Sequence, residues 1–518
     1  MRLPSRLLGA TSPEVGSDQA TSGSGPLGLG RSAVFGVVWT VLAAIIGRFG
    51  TVIALLLLAR LLTPREFGLI GMGLVVVNAM AQVTDLGLSQ ALVVSRHDSR
   101  TLAATASAVV LAISSAFFLG LYLAAPLAVY VFHEPEVVAL IRVLAVILVA
   151  QGLASVPAAL IERDLKFRQK FLPEAVPAFV YAAVAIGLAV AGAGVWSLVA
   201  GQVAYPVARA FFLWWALGIN PIGRVSLTIA RELVGYGKFV VGSSLARFAF
   251  LTIDSVAIGA LLGPTALGLY EIALNLANLP VTHLTMFVGS VVFPVFAKLR
   301  DDASGIRLAY LATTRYVALV AIPAAFWLTV LAPATVPVVL GERWAGAATA
   351  LQVLAWYAAI RSLWVTTVRI PMATGHVGKL LGLDLTVLAV AAVLLLPLLY
   401  ARGIAGVALA ATIAQAVGLL VLFRLANRLT GARLADVLGA LRPVATLTAV
   451  LALLVAGTGL ALDWQPTTLL ELGVAAGLTS LVALAVVAVL EPELRTQARA
   501  ILARSPASPE PCPSQAKL

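Results

Sequence analysis

Long apolar stretches separated by short polar segments follow one another from about residue 33 to residue 490. Each stretch reaches the roughly 20 residues that a helix needs to cross the hydrocarbon core of a bilayer. None shows the period-two alternation that is typical of the strands of a membrane barrel. The pattern predicts fourteen membrane-spanning helices, at 33–59, 66–92, 102–130, 137–161, 171–192, 194–216, 232–260, 265–297, 308–332, 347–372, 380–400, 403–423, 443–462 and 468–490.

One segment of the chain is repeated. Residues 61–78 read LLTPREFGLIGMGLVVVN, and residues 261–278, 200 positions later, read LLGPTALGLYEIALNLAN. Six predicted helices, an even number, separate equivalent points, so both copies cross the membrane in the same direction as parallel repeats. Gly194, before the sixth predicted helix, is echoed more loosely by Gly403 before the twelfth. We therefore expect an all-α polytopic membrane protein with two parallel six-helix lobes plus two C-terminal helices.

The repeat and the composition divide the chain into five predicted segments. They are a disordered cytoplasmic tail at 1–32, an N-terminal lobe at 33–230, a C-terminal lobe at 231–430, two additional transmembrane helices at 431–490 and a cytoplasmic tail at 491–518. The first tail is rich in Gly and Ser and lacks the compact apolar core and cleavage site of a signal peptide.

Composition and charge agree with a membrane protein. Hydrophobic residues make up 61% of the 518 positions and charged residues 11%, which no soluble domain requires. With both termini in the cytoplasm, 23 of the 35 Lys and Arg lie in inside loops and tails, and 4 lie in outside loops. This bias follows the positive-inside rule. The net charge of +12 is therefore explained by topology and does not indicate a nucleic-acid partner.

The sequence offers little material for catalysis. No loop between the predicted helices is long enough for a soluble catalytic domain, and no Walker A, HExxH or Ser-His-Asp pattern occurs. Four scattered His and the single Cys512 have no metal-ligand spacing. We expect no enzyme activity, no cofactor and no metal site.

Two predicted helices carry polar stripes in equivalent positions of the repeat. The first contains Asn78, Gln82 and Asp85, and the second contains Glu271, Asn275 and Asn278, all at spacings of three or four. Such stripes are costly in lipid and are expected to face the space between the lobes. The alternative is a dry hydrogen-bonded seam between helices. We take Asn78, Gln82, Asn275 and Asn278 as substrate-binding candidates, and Asp85 and Glu271 as coupling-ion candidates.

Two arginines occupy nearly equivalent places in the middle of predicted helices, Arg48 in GRFG and Arg247 in ARFA. An arginine at the centre of a membrane helix costs roughly 2.5–3.5 kcal/mol on insertion scales, so an anion-binding role is a reasonable hypothesis for both. Arg247 has an alternative as the ion-pair partner of Asp254, seven residues away on the same face. Asp254 is accordingly either a structural counter-ion or a coupling-ion site.

The predicted helix at 347–372 places Tyr357, Arg361 and Trp364 on one face, at spacings of four and three. A guanidinium flanked by aromatic rings suits a phosphorylated sugar, because the guanidinium binds phosphate and the rings stack on sugar faces. The alternative is an aromatic belt at the membrane interface. Arg209 and Arg369, nearer the predicted cytoplasmic ends of their helices, are expected to reach toward lipid headgroups.

Several strings resemble a known family. They are ARLLTPREFGLIGMGLVVVNAMAQVTDLGLSQALV, ERDLKFRQKF, GAGVWSLVAGQV, VVFPVFAKLRDD and YGKFVVGSSLARFAFLTIDSVAIGALLGPTALGLYEIALNLANLP. These strings are similar to those of the polysaccharide transporter (oligosaccharide flippase, Wzx-like) family in the multidrug/oligosaccharidyl-lipid/polysaccharide flippase superfamily. The resemblance covers roughly residues 33–430, and it fits the oligosaccharide-flippase branch better than the multidrug branch.

The resemblance implies a flippase of the bacterial inner membrane. It would move a polyprenyl-diphosphate-linked oligosaccharide to the outer leaflet by alternating access, for capsule, exopolysaccharide or lipopolysaccharide. Arg48, Arg247 and Arg361 would then bind the diphosphate. Membrane lipids, a polysaccharide polymerase and export machinery are candidate partners. The alternatives are a cation-coupled small-molecule (multidrug) exporter, a membrane enzyme and a scaffold of the assembly machinery.

Overall fold

The fold is helical throughout the part of the chain that can be described. A computed structural model describes residues 51–84, 99–163, 167–218, 252–279 and 302–462, together with Gly47, Gly50, Ser226, Phe296, Leu299, Gly477 and residues 480–482. Within these residues there are helices and turns but no strand, and seven helices are long and apolar enough to cross a membrane. The all-α membrane class is confirmed, whereas the total of fourteen spans stays a prediction.

The described helices follow the predicted spans closely. In the first half of the chain they are α1 (Gly50–Leu61), α2 (Pro64–Thr84), α3 (Ser99–Ala124, extended by Ala128–Phe132), α4 (Val146–Arg163, preceded by Glu136–Leu144), α5 (Phe171–Val190) and α6 (Val195–Leu217). In the second half they are α7 (Thr252–Leu279), α8 (Ala303–Leu340), α9 (Ala347–Thr367, followed by Arg369–Ala373), α10 (Leu380–Thr430) and α11 (Leu434–Leu462).

Two of these helices each cover parts of two predicted spans. The backbone of α7 leaves the helical region at Gly263, with φ +83°, and that of α10 does so at Gly403, with φ +57°. Both glycines lie where the sequence predicts a break between spans. Each of the two helices therefore consists of two limbs.

The echo between Gly194 and Gly403 is present in the backbone. Gly194, which precedes α6, has φ +55° and ψ −133°, and Gly403 has φ +57° and ψ −135°. Only glycine adopts this combination readily, because a Cβ would clash with the backbone. The predicted similarity of these two turns is confirmed at the level of dihedral angles.

Side-chain caps fix where two helices begin. Thr63 and Glu66 form a capping box at the start of α2: the Thr63 amide donates to Glu66 Oε2 at 2.7 Å, and the Glu66 amide donates to Thr63 Oγ1 at 3.4 Å. Asp302 caps α8 by accepting from the amides of Ser304 and Gly305, each at 3.0 Å. These hydrogen bonds hold the pKa of Asp302 below its usual range.

Helices of the same half pack against one another. In the first half α5 packs on α6 and α3 on α4, and in the second half α8 packs on α9 and α11 while α9 packs on α10. The largest group of buried apolar side chains includes members of both halves, so the halves share a core where they meet.

The halves meet at the repeated segment itself. A Cβ added to Gly68 would lie 1.7 Å from the carbonyl oxygen of Pro264, and one added to Gly268 would lie 1.8 Å from the carbonyl oxygen of Pro64. The two contacts are reciprocal, as expected if a local two-fold axis relates the two copies of the repeat. Glycine at both positions lets the two backbones touch.

Flanking side chains reinforce this crossing from both sides. Arg60 of the first half donates through Nε and Nη2 to the carbonyls of Val339 and Val338, each at 2.7 Å. These carbonyls belong to the last turn of α8, where they accept no hydrogen bond from an amide of that helix. In return, the indole of the fully buried Trp344 donates to the carbonyl of Ala59 at 2.7 Å.

A third contact repeats the pattern with a different side chain. The ring of Phe132 lies 3.1 Å from the position that a Cβ on Gly259 would occupy, and Gly259 is the repeat equivalent of Ala59. Each half therefore packs an aromatic residue against the other half's first repeat helix. Arg343 adds a further contact, with Nη1 donating to the carbonyl of Leu62 at 3.3 Å. We call the set Ala59, Arg60, Gly68, Gly268, Arg343 and Trp344 the clasp.

We expect Gly403→Ala to lower the free energy of unfolding by about 1–3 kcal/mol, because alanine is strained at this φ and ψ. No heavy atom lies within 4 Å of the added Cβ, so the effect reports the backbone alone. The matched control is Gly187→Ala on α5, where nothing lies within 4 Å and the backbone is helical; it should be neutral or slightly stabilising. Denaturant titration in detergent measures both, and equal effects would contradict the assignment.

The crossing can be tested with a disulfide. The Cβ of Gly71→Cys would lie 3.6 Å from Cγ of Leu267, within reach of a bond to Leu267→Cys. Starting from Cys512→Ser, which leaves no other cysteine, mild oxidation should cross-link this pair rapidly. Gly120→Cys with Leu267→Cys is the control, since no atom approaches Gly120 within 4 Å. A mass-shift assay for free thiols measures the extent of cross-linking. Cross-linking of the test pair no faster than that of the control would disprove the contact.

Candidate functional site

A cluster of charged and polar side chains lies next to the clasp, on the seam between the halves. Glu271 marks its position: a Cβ on Gly71 would lie 3.7 Å from Cγ of Glu271 and 3.3 Å from Cδ2 of Leu267. Gly71 and Glu271 are equivalent in the repeat, one helical turn beyond Gly68 and Gly268. The carboxyl side chain therefore emerges where the two halves cross.

The two limbs of α7 are linked by hydrogen bonds within this cluster. Tyr270 Oη donates to Asp254 Oδ2 at 2.5 Å, and Ser255 Oγ donates to Glu271 Oε1 at 2.7 Å. Tyr270 and Ser255 are buried, whereas the two acids keep part of their surface exposed. Both bonds join residues 16 apart, so each acid of one limb has its hydrogen-bond donor on the other limb.

Helix α9 supplies the positive charge of the cluster. Arg361 lies close enough to Asp254 and to Tyr357 to interact electrostatically with both, and Asp254 also interacts electrostatically with Glu271. The structure thus brings together four residues that the sequence indicated separately, Asp254, Glu271, Tyr357 and Arg361. With both carboxyl groups ionised, these residues carry one net negative charge, which a bound proton or metal cation would neutralise.

The remaining residue of the predicted α9 stripe has a packing role. The six-membered ring of Trp364 lies 2.9 Å from the position of a Cβ on Gly418, and Val387 lies 2.2 Å from the same position. Trp364 thus packs on α10 within the second half. Its proposed stacking on a sugar stays a prediction that its position does not directly support.

The asparagines of the two stripes differ in their surroundings. Asn275 is exposed and donates to the carbonyl of Glu271 at 2.9 Å, and Asn278 donates to the carbonyl of Leu274 at 2.9 Å. Asn78 is partly exposed on α2. Because Asn275 donates through its amide nitrogen, its amide oxygen is turned away from that carbonyl and can accept a hydrogen bond from a ligand.

Some predicted residues lie outside the described part of the chain, namely Arg48, Asp85, Arg247 and the side chain of Gln82. The expectation for Arg209 needs a correction. Its Nη2 lies 2.8 Å from Glu174 Oε1, so it forms an ion pair inside the first half rather than reaching toward headgroups. The partner was hard to foresee because it lies 35 residues away on another helix.

The sequence analysis missed the clasp residues. A usable signal existed, since Arg60 and Arg343 are two of the four basic residues on the predicted outside and are exceptions to the charge bias. Both bind backbone carbonyls of the opposite half, Arg343 through Nη1 to Leu62 at 3.3 Å. An arginine that departs from the positive-inside pattern therefore marks a specific contact here.

An apolar cavity of about 840 Å³ lies beside the cluster, between α2, α3 and the start of α7. Its walls include Val76 and Met80 from α2, Phe117 and Gly120 from α3, and Val256 from α7. We call it the apolar groove. Such a surface suits a hydrocarbon chain rather than a polar solute.

Comparisons with known proteins agree with these features. A family model described as "Polysaccharide biosynthesis protein" matches residues 57–349. The chain is 29% identical over 320 residues to the succinoglycan biosynthesis transport protein ExoT of Rhizobium meliloti (strain 1021), covering 62% of this chain and 65% of that protein. It is 28% identical over 265 residues to the teichuronic acid biosynthesis protein TuaB of Bacillus subtilis (strain 168), covering 50% and 54%. The chain thus spans about half to two thirds of the length of these relatives.

Solved structures show a similar fold. A lipid II flippase MurJ structure in an inward closed conformation superposes with a TM-score of 0.68 at 14% identity, covering 88% of this chain and 98% of that one. An inward-facing multidrug resistance MATE family transporter of the MOP superfamily gives 0.58 at 15% identity, covering 77% and 98%. At these identities the likeness concerns the fold. The family model matches more than half of this chain, so the chain belongs to the polysaccharide biosynthesis protein family.

Proposed function

We propose that this protein is a flippase that carries a polyprenyl-diphosphate-linked oligosaccharide from the inner to the outer leaflet of the bacterial cytoplasmic membrane. The observation that carries the proposal is the clasp. Two halves that meet through reciprocal glycine contacts at one end can separate there as units, and a charged cluster lies directly beside that contact. Alternating access requires this arrangement of a closable end next to a binding region.

The full architecture of the proposal is two parallel six-helix lobes, 33–230 and 231–430, followed by two further membrane helices, with both termini in the cytoplasm. The charge bias then places the clasp on the outer side. The closed clasp corresponds to a state that excludes the outside, and the substrate would enter from the side on which it is assembled. The reciprocal contacts and the packing within each half support this division.

Each part of the substrate finds a suitable surface in this arrangement. The diphosphate would bind Arg48, Arg247 and Arg361, because a guanidinium matches phosphate oxygens in geometry and charge. The glycan would contact Asn78, Gln82, Asn275, Asn278 and Tyr357. The lipid tail would stay at the bilayer and use the apolar groove. Membrane lipids, a polymerase and export machinery would be its partners.

The acid pair offers a way to couple transport to an ion. Asp254 interacts with the guanidinium of Arg361 and with Glu271, so binding of a proton or Na⁺ would remove the net negative charge that the cluster carries when both acids are ionised. Because Glu271 lies against Gly71 at the crossing, its charge state acts on the contact that must open. Asp85 is a third coupling candidate. The membrane potential alone would also favour export of two negative charges, by about 4.6 kcal/mol at 100 mV.

The rival function is a cation-coupled small-molecule exporter. The carboxylates near Arg361 are compatible with it, but the family match and the apolar groove favour a lipid-linked substrate. The two functions differ in a simple assay, since an exporter confers drug resistance on a sensitive host and a flippase does not.

The proposal predicts that purified protein in liposomes exposes a labelled polyprenyl-diphosphate oligosaccharide on the opposite leaflet. Arg48→Ala, Arg247→Ala and Arg361→Ala should each slow this about tenfold or more, because a lost charged hydrogen bond costs about 1.5–3 kcal/mol. Arg402→Ala, an exposed arginine between the limbs of α10, is the matched control and should keep the wild-type rate. An inactive wild-type protein would reject the flippase assignment. Normal rates in all three variants would reject only the phosphate site.

The coupling hypothesis predicts that Asp254→Asn and Glu271→Gln flatten the dependence of the transport rate on pH or Na⁺. An amide carries no charge and does not gain or lose a proton in this pH range. The control is Asp302→Asn. Asparagine caps a helix as well as aspartate, and Asp302 stays ionised because its pKa lies below the usual range. Rates measured across a pH and Na⁺ series decide the question. An unchanged profile in both acid variants would show that the pair is structural.

A further inference from the structure

A second, polar cavity of about 560 Å³ lies inside the first half of the chain, and the function proposed above makes no use of it. Helices α2, α4, α5 and α6 form its walls, and about half of the lining is polar. The polar residues are Gln151, Ser155, Glu162, Glu174, Tyr205 and Arg209. A polar side chain on a membrane helix is costly unless another protein group or a ligand interacts with it. Such side chains are therefore commonly functional.

The charges of this cavity are balanced by ion pairs. Arg209 and Glu174 are 2.8 Å apart, with 29% and 27% of their side-chain surfaces exposed. Glu162, at the rim, forms an ion pair with Lys170. The cavity is therefore polar but carries no net charge from its described residues. It differs in this respect from the acid cluster of the second half.

The cavity lies at the end of the molecule opposite to the clasp. Ala81 of α2 lines it and follows Pro64 by 17 residues, or about 25 Å of helix rise. Glu162 belongs to the last turn of α4 and Glu174 to the first turn of α5. The connection between these helices is one of the most basic segments on the predicted cytoplasmic side. With the clasp closed, this cavity is thus on the side where the substrate is made.

We propose that this cavity binds an uncharged sugar unit of the lipid-linked glycan. Sugar hydroxyls both donate and accept hydrogen bonds, and the wall offers both kinds of group. Gln151 and Tyr205 can do either, the carboxylate of Glu174 accepts, and the guanidinium of Arg209 donates. The apolar half of the wall can cover the faces of the ring. The inference rests on the flippase function and adds to it a defined glycan site.

Other occupants fit this cavity less well. A diphosphate would lie beside Glu162 and Glu174. It would have to displace Glu174 from Arg209 and Glu162 from Lys170. A hydrocarbon chain would offer no hydrogen bond to the polar groups of this wall, and each hydrogen-bonding capacity left unsatisfied costs about 1–3 kcal/mol. A neutral polyhydroxylated ligand avoids both penalties.

The assignment divides substrate recognition between the halves. The sugar lies in the first half, and the charged cluster with Arg361 lies in the second half. A bound substrate would then bridge the two halves, and its sugar would act as a recognition element that a bare lipid diphosphate lacks. Specificity for the glycan and engagement of the charged headgroup become separable properties.

The test uses thiol protection in the full-length chain with Cys512→Ser. Ser155→Cys places a thiol on the cavity wall, and Gly378→Cys places one at an exposed position of the predicted cytoplasmic connection between α9 and α10, away from the cavity and with no atom within 4 Å of the added Cβ. Both variants are reconstituted in liposomes and labelled with a small hydrophilic maleimide. Two probes are compared, a polyprenyl diphosphate carrying a neutral disaccharide and the same polyprenyl diphosphate without sugar.

We expect the glycosylated lipid at twice its dissociation constant to slow labelling of Ser155→Cys about threefold, since occupancy reduces the free fraction by that factor. The bare lipid should have no effect at Ser155→Cys, and neither lipid should affect Gly378→Cys. Equal protection by both lipids, or protection by neither, would overturn the proposal.

A kinetic readout separates recognition from a structural role. Gln151→Ala and Tyr205→Phe should raise KM for the glycosylated lipid severalfold and leave the parameters for the bare lipid unchanged. A purely structural role would lower transport of both lipids alike and would overturn the proposal. Failure of the flippase assignment is distinguishable, because the wild-type protein would then move neither lipid while thiol protection could still be measured.

Discussion

The close approach of two backbones at Gly68 and Gly268 is the constraint on which the rest of the structure depends. A single methyl group at either position would overlap a carbonyl oxygen of the other half. Because the contact joins repeat-equivalent residues, a local two-fold axis relates the first turn of α2 to the first turn of the second limb of α7. Arg60, Trp344 and Phe132 can reach their targets only because this axis brings the two halves so near.

Polar groups of the described residues form two separate regions along α2. The cluster of Asp254, Glu271, Tyr357 and Arg361 lies next to the crossing at Gly71, and about 15 Å further along α2, at Ala81, lies a cavity whose charges are paired. The apolar groove lies between α2, α3 and the start of α7, near the first of these regions. A substrate with a charged centre, a neutral glycan and a hydrocarbon tail matches this order of surfaces, and a compact drug-like molecule would use only part of it.

The helices and the paired turns at Gly194 and Gly403 follow from the periodicity and the repeat in the sequence. The sequence also indicates Asp254, Glu271, Tyr357 and Arg361, but each separately and not as one cluster. These features leave local or repeated signals in the sequence. The pairing of Trp344 with Ala59 and that of Arg209 with Glu174 left no such signal, because the first two residues are 285 positions apart and the second two lie on different helices. Such contacts arise from the tertiary arrangement, and no spacing rule encodes them. The packing of Trp364 on Gly418 was hidden for the same reason.

The clasp has a property that follows from the atoms it joins. Arg60, Arg343 and Trp344 all donate to main-chain carbonyls, at Val338, Val339, Leu62 and Ala59. A carbonyl is present whatever side chain a position carries. The hydrogen bonds are thus independent of the side chains at Val338 and Val339, which are only partly buried, whereas Ala59 and Leu62 are buried and also constrained by packing. Related chains can therefore diverge at the two valines without losing these contacts, as long as the helix end keeps its shape, whereas the three donors cannot be exchanged.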